Sequence, residues 1–97
     1  PNKALVIVRR ADGRLGAPTS FVRDAHAAGL LVHPWTFRAE NAFLPLDYRR
    51  GAERAVRGDG QGEIEAFLRS GIDGFFTDHA DVGVAGLRAW QGLAGGR

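Results

Sequence analysis

Two short stretches hold most of the side chains in this sequence that could carry out chemistry. They are residues 33–38 (HPWTFR) and residues 71–78 (GIDGFFTD). Each stretch completes an apolar run of the kind that forms a buried strand. Polar residues at the carboxyl ends of such strands are where a β/α barrel keeps its active site. The pattern therefore predicts functional side chains where two strands end.

Arg38 is the side chain best suited to bind a substrate anion. Its planar fork of donors matches phosphate oxygens and stays charged at neutral pH. An ordinary ion pair with Glu40 or Asp78 is the competing interpretation. The sequence leaves both open.

Trp35 is the second candidate for substrate contact. On a strand it would lie on one side with Leu31, His33 and Phe37, while Val32, Pro34 and Thr36 face the other side. Either set could be the interior of a barrel. The alternative to a binding role is a tryptophan that anchors the core.

The three histidines are weaker candidates. His33 could act as a base or ligand, but its depth in the strand favours a hydrogen-bonded core residue. His26 lies in a helix and is predicted to be a surface or packing residue. His79, with Asp78 and Asp81, superficially resembles a metal cluster, yet adjacent residues on an extended chain point in opposite directions. We predict no catalytic residue and no metal ligand within this sequence.

The elements that position these residues form two similar modules. A helix at 20–28, with Thr19 as N-cap and Gly29 as its stop, precedes a strand at 30–36. A helix at 63–70, stopped by Gly71, precedes a strand at 72–77. These modules predict two parallel strands with helices packed outside. A closing helix at 81–92, capped by Asp81, follows.

Other segments give less definite predictions. Residues 4–8 have the composition of a strand but are too few to distinguish a strand from a loop. Residues 37–62 form a long connection, which in a compact domain is usually functional or disordered. Its place on the predicted active-site face favours function. Asn41 could cap a short helix at 42–44. Asp73 suits a tight start to the second strand, and Glu63 and Glu65 suit the exposed face of an amphipathic helix.

Composition bounds the class of protein. The 97 residues are 44% hydrophobic and 25% charged, as in an ordinary globular protein, and no apolar run is long enough to span a bilayer. Thirteen basic and eleven acidic residues leave a net charge of +2, which is weak support for nucleic-acid binding because the arginine clusters lack interleaved aromatic residues. The absence of cysteine excludes disulfides and zinc–thiolate sites in this stretch.

The two stretches, together with Pro1-Asn2-Lys3 and Asp59-Gly60, resemble the glycerophosphodiester phosphodiesterase family in its longer, bacterial periplasmic form. The resemblance extends from Pro1 to about Leu87. It implies that residues 1–97 are the C-terminal portion of a TIM-type (β/α)8 barrel, carrying strands 7 and 8, with the earlier strands missing. Residues 4–8 would then be a loop after strand 6, and Trp35 would face inward.

The resemblance also implies an activity. Such an enzyme hydrolyses glycerophosphodiesters to sn-glycerol 3-phosphate and an alcohol, with a divalent cation, calcium or magnesium. Trp35 and Arg38 would be substrate-binding residues. The catalytic histidines and metal ligands of the family lie upstream and do not occur in this sequence, and Ala80 replaces a common proline. The family similarity slightly favours a periplasmic or secreted location.

Two rivals from other classes remain. A non-catalytic, degenerate β/α barrel or interaction module would keep the scaffold without the chemistry. A basic nucleic-acid-binding domain is the weaker rival.

Overall fold

The computed structural model describes the backbone of residues 1–95 and the side chains of residues 1–92. Three α-helices, one two-stranded hairpin and three short 3-10 helices make up the described chain. The hairpin strands are β1 (Ile7–Arg9) and β2 (Leu15–Pro18), and the helices are α1 (Phe21–Ala27), α2 (Gly60–Arg69) and α3 (Ala80–Gly95). The 3-10 helices are Lys3–Leu5, Asn41–Phe43 and Leu46–Tyr48.

An antiparallel hairpin occupies the region that the family resemblance assigns to a loop. Strands β1 and β2 pair with Ile7 opposite Pro18. Between them, the backbone N–H of Gly13 donates to the carbonyl of Arg10, and the Asp12 carboxylate accepts from the N–H of Arg14. Residues 7 and 8 lie in β1, so the expectation of a loop at residues 4–8 was wrong for the end of that range. Asp-Gly between apolar segments is a strong hairpin signal.

The two predicted strands run parallel but do not form continuous strands. The N–H of Asp73 donates to the carbonyl of Val32, and the N–H of Phe76 donates to that of Pro34. A parallel bridge then joins Phe37 to Thr77. Pro34 has no N–H to return to its neighbour, which interrupts the hydrogen-bond ladder. The predicted direction is thus confirmed, whereas the predicted regular strands at 30–36 and 72–77 are not.

A third extended segment flanks these two on the other side. The N–H of Trp35 donates to the carbonyl of Pro1, and the carbonyl of Trp35 accepts from the N–H of Lys3. The bridge between Asn2 and Trp35 is also parallel. Residues 1–3, 32–37 and 72–78 therefore lie side by side and point the same way. A closed barrel is absent from the described residues.

The helices end where the sequence predicts and begin elsewhere. Gly29 and Gly71 both have positive φ, 78° and 99°, and end their helices as expected. Helix α1 has Ser20 at its N-cap instead of Thr19, whose hydroxyl bonds to the loop carbonyls of Leu5 and Val6.

The starts of the other two helices also differ from prediction. Helix α2 begins three residues early because the Asp59 carboxylate accepts from the N–H of Gly62. Helix α3 begins at Ala80. Asp81 therefore lies inside the helix, and the prediction that it is the cap was wrong.

The core lies between the helices and one face of the parallel segments. Its buried members are apolar side chains from the hairpin, both parallel segments, α1 and α2: Val6, Ile7, Val22, Val32, Phe37, Ile64, Phe67, Leu68 and Ile72. The Phe37 ring meets those of Phe67 and Phe75 edge to face, with centroids 4.9 and 5.8 Å away. Phe37 is therefore buried, and the prediction that it shares a face with Trp35 was wrong.

The opposite face of the parallel segments is open. Leu31, His33, Trp35 and Phe76 are all exposed on it. The imidazole of His33 contacts the Phe76 ring edge to face at 6.4 Å. His33 was predicted to be a hydrogen-bonded core residue, and that prediction was wrong for the described chain, because no described element packs over this face.

Candidate functional site

The ends of segments 32–37 and 72–78 form a rim that is fixed by side-chain as well as backbone hydrogen bonds. The Thr77 hydroxyl donates to the carbonyl of Phe37 at 2.8 Å and accepts from the N–H of His79 at 3.1 Å. The N–H of Asp78 also donates to Phe37. These bonds join the ends of the two segments.

Trp35 lies two residues before Phe37, and 47% of its surface is exposed. Both of its backbone polar groups are bonded to the segment at residues 1–3, so the position of its main chain is fixed. The indole lies on the open face, where a ligand or another part of a barrel could contact it. The interpretation of Trp35 as a buried anchor of this core does not fit that exposure.

Arg38 makes the ion pair that the sequence left open. Its Nε lies 2.9 Å from Oδ2 of Asp78. Its guanidinium carbon lies 4.8 Å from the centroid of the Phe43 ring. Both charged side chains are about half exposed. The pair and the ring hold the guanidinium at the rim while leaving several of its N–H donors available.

A second set of polar side chains crosses the rim beside Arg38. Nε2 of His79 lies 3.1 Å from Oε2 of Glu40, and Nδ1 of His79 lies 3.1 Å from Nη2 of Arg57. Nη1 of Arg57 is 2.7 Å from Oδ2 of Asp81. We call Glu40, His79, Arg57 and Asp81 the rim chain. The bond to Arg57 lowers the pKa of Asp81.

The long connection after the rim is ordered by one buried amide. Asn41 is buried, and its Nδ2 donates to the carbonyls of Arg50 and Glu53 while its Oδ1 accepts from the N–H of Arg50. The proposed role of Asn41 as a helix cap was wrong, because it lies within the 3-10 helix Asn41–Phe43 and Glu40 is the cap. A satisfied buried amide of this kind fixes the path of a loop.

A buried ion pair joins the start of the chain to α2. Lys3 Nζ lies 2.9 and 3.1 Å from the two carboxylate oxygens of Glu63, which is 1% exposed. Burial raises the pKa of Glu63 and lowers that of Lys3, while their mutual attraction opposes both shifts. Glu63 was predicted to lie on the exposed face of the helix, and that prediction was wrong.

The sequence did contain the signal for this pair. The buried positions of α2 recur at helical spacing, and Glu63 falls among them: Gly60, Glu63, Ile64, Phe67 and Leu68. A carboxylate on the buried face of a helix requires a cationic partner. Lys3, the single lysine of the sequence, supplies the charge, although nothing in the sequence identifies which of the thirteen basic residues would do so.

Two general findings limit what the described residues can do. Among residues 1–95, no three histidine, cysteine, aspartate or glutamate side chains converge as a metal site would require. The described residues therefore do not fit a resident divalent cation by themselves. Across the same stretch, none of the helices combines the length and apolar character needed to cross a membrane.

Comparison with known proteins places this sequence in a family. Residues 2–82 match the model of the glycerophosphoryl diester phosphodiesterase family. An Arabidopsis thaliana protein named glycerophosphodiester phosphodiesterase GDPD6 is 40% identical over 73 residues, which cover 74% of this chain. The same residues span only 18% of that relative. No solved structure matches the chain significantly. Because the family model covers most of the sequence, the chain belongs to the glycerophosphoryl diester phosphodiesterase family.

Proposed function

We propose that residues 1–97 form the C-terminal part of a (β/α)8 barrel, with strands 7 and 8 and their flanking helices, in a glycerophosphodiester phosphodiesterase. The full-length enzyme would hydrolyse a glycerophosphodiester, a small-molecule substrate, to sn-glycerol 3-phosphate and an alcohol. The observation that carries this proposal is the exposed face of the parallel segments, which is formed by Leu31, His33, Trp35 and Phe76. The match to the family model supports it. Parallel segments that are packed on one face and exposed on the other are what part of a barrel would present.

In this proposal the 97 residues bind and orient the substrate and do not break its bond. Trp35 would form an apolar wall beside the glycerol part, and Arg38, anchored by Asp78, would direct its remaining donors at the phosphate. The family is generally dependent on divalent cations. When bound, such a cation would withdraw charge from the phosphoryl group. Its ligands, for calcium or magnesium, would lie in the preceding part of the barrel.

The proposal includes a periplasmic or secreted location and no nucleic-acid partner. The first rests on the similarity to the longer periplasmic-type enzymes. The second rests on the separated arginine clusters, several of whose members already pair with carboxylates, as Arg57 does with Asp81. Fractionation of the producing cells tests the location directly.

The decisive experiment compares the full-length protein with residues 1–97 alone. Each is incubated with glycerophosphocholine and either calcium or magnesium, and the release of sn-glycerol 3-phosphate is measured. We expect metal-dependent turnover from the full-length protein and none from residues 1–97. Turnover by the isolated residues would refute the assignment of catalysis to upstream strands. An inactive full-length protein would favour the non-catalytic degenerate barrel.

A further inference from the structure

The contacts of the rim chain determine the tautomer of the neutral His79 ring. A guanidinium can only donate hydrogen bonds, so Nδ1 of His79, 3.1 Å from Nη2 of Arg57, must accept. The proton of the neutral ring then lies on Nε2, which faces Oε2 of Glu40 at 3.1 Å. The carboxylate of Asp81 holds Arg57 in turn. His79 therefore donates to Glu40 through a fixed tautomer.

This arrangement keeps Glu40 ionised and oriented. Hydrogen bonds from its own backbone N–H and from His79 lower the pKa of Glu40. The side chain of His79 is 15% exposed, whereas that of Glu40 is 30% exposed. An ionised carboxylate has more acceptor capacity than these bonds use. Part of the Glu40 carboxylate thus stays open to solvent at the rim.

Glu40 lies next to the residues to which we assign substrate binding. Two successive side-chain pairs, Arg38–Asp78 and Glu40–His79, join the chain after Phe37 to the chain after Thr77. A cation and an anion therefore stand side by side on one rim. A phosphodiester that also carries free hydroxyls presents one group suited to each.

We infer that Glu40 is a substrate-binding residue that accepts hydrogen bonds from the free hydroxyls of the glycerol group, and that His79 is a positioning residue that orients it. The inference rests on the proposed function. A carboxylate repels phosphate but is a strong acceptor for hydroxyls, so Glu40 would select for the polyol part of the substrate. A contact that only fastens the connecting loop to the rim is the alternative.

The first test is Glu40→Gln in the full-length protein, with Glu65→Gln on α2 as the matched control. We expect KM for glycerophosphocholine to rise about 10- to 100-fold, as for the loss of a hydrogen bond to a charged group, with kcat little changed. Binding of sn-glycerol 3-phosphate, measured by calorimetry, should weaken by the same factor. Binding of inorganic phosphate should not change. Melting curves of both variants show whether folding is intact.

The second test separates positioning from packing at His79. A glutamine amide can place its donor near the site of Nε2, whereas an asparagine amide reaches only as far as Nδ1. His79→Gln should therefore retain a near-wild-type KM, and His79→Asn should reproduce the KM of Glu40→Gln. Nitrogen NMR of the wild-type protein should show the His79 ring protonated at Nε2.

The outcomes distinguish this inference from the function on which it rests. A wild-type protein that hydrolyses no glycerophosphodiester overturns the proposed function. An active wild-type enzyme whose KM is unchanged in Glu40→Gln overturns the role of Glu40 alone. If His79→Asn lowers the melting temperature at an unchanged KM, His79 only stabilises the connecting loop.

Discussion

The two faces of the parallel segments differ in how completely they are packed. On one face, Val32, Phe37 and Ile72 are buried against the hairpin and α2. On the other, Leu31 and Phe76 are 73% and 59% exposed. Both faces are apolar, so their composition does not explain the difference. The exposed face instead has the character of a surface that another element covers.

The largest effect should come from the packed face. Phe67→Ala removes a ring that lies edge-on against Phe37 at 4.9 Å, and we expect the free energy of unfolding of the full-length protein to fall by about 3–5 kcal/mol. Urea denaturation measures this loss. Phe76→Ala on the open face is the matched variant. A loss of more than about 2 kcal/mol for Phe76→Ala would mean that the rest of the protein covers this face, and a negligible loss would contradict the barrel.

The second prediction concerns the contribution of the buried Lys3–Glu63 pair to the free energy of unfolding. Lys3→Met leaves the Glu63 carboxylate buried without its closest cation, and only Arg9, at 3.8 Å, remains near it. Breaking a buried pair in this way should lower the free energy of unfolding by about 2–4 kcal/mol. Denaturation of the full-length variant measures it.

The double variant Lys3→Met with Glu63→Met is the control for that experiment. It removes both charges, so it should recover most of the loss. A double variant as unstable as Lys3→Met would show that the cation–π contact of Lys3, whose Nζ lies 4.9 Å from the centroid of the Phe37 ring, matters more than its pairing with Glu63.

The same contrast separates what the sequence predicts from what it cannot. Some local signals were reliable: the stops at Gly29 and Gly71, and the parallel direction of the segments that follow them. The predicted helix starts were not, because Thr19 and Asp81 are not caps. Two further local signals were overlooked: the missing N–H of Pro34, which interrupts the ladder, and the Asp12-Gly13 turn of the hairpin.

Long-range pairings were not readable in the same way. The contact between Lys3 and Glu63 joins residues 60 positions apart, and Arg57 meets His79 across 22 positions. Many arginines could have served either role, and only the folded chain selects among them. The exposure of Trp35 is similar, because it depends on which elements cover the strand rather than on the strand itself.

The third prediction concerns function on the open face. Trp35→Ala in the full-length protein should lower kcat/KM for glycerophosphocholine about 10- to 100-fold, as for the loss of an apolar wall of a binding pocket. Leu31→Ala, deeper on the same face, should leave kcat/KM nearly unchanged. A normal kcat/KM together with a large fall in melting temperature for Trp35→Ala would assign Trp35 to packing alone.

The smallest expected effect is on the pH dependence of stability, and it concerns the ends of the parallel segments opposite the rim. The Asp73 carboxylate accepts from the N–H of Val32 and lies 2.7 Å from Nε2 of His26, and these bonds, that with His26 above all, lower its pKa. The folded protein therefore holds a proton on Asp73 less readily than the unfolded chain does. The resulting stability is present above the ordinary carboxyl range and is lost as the pH falls through the pKa of the folded state.

Asp73→Asn should remove that part of the acid dependence. Between about pH 5 and pH 3, the wild-type protein should lose stability more steeply than the variant, by no more than about 1 kcal/mol for so exposed a pair. Thermal unfolding across this range measures the difference, and His26→Ala should flatten the profile in the same direction. Parallel pH profiles of wild-type and Asp73→Asn would show that the bond to His26 adds nothing to the join between α1 and the second segment.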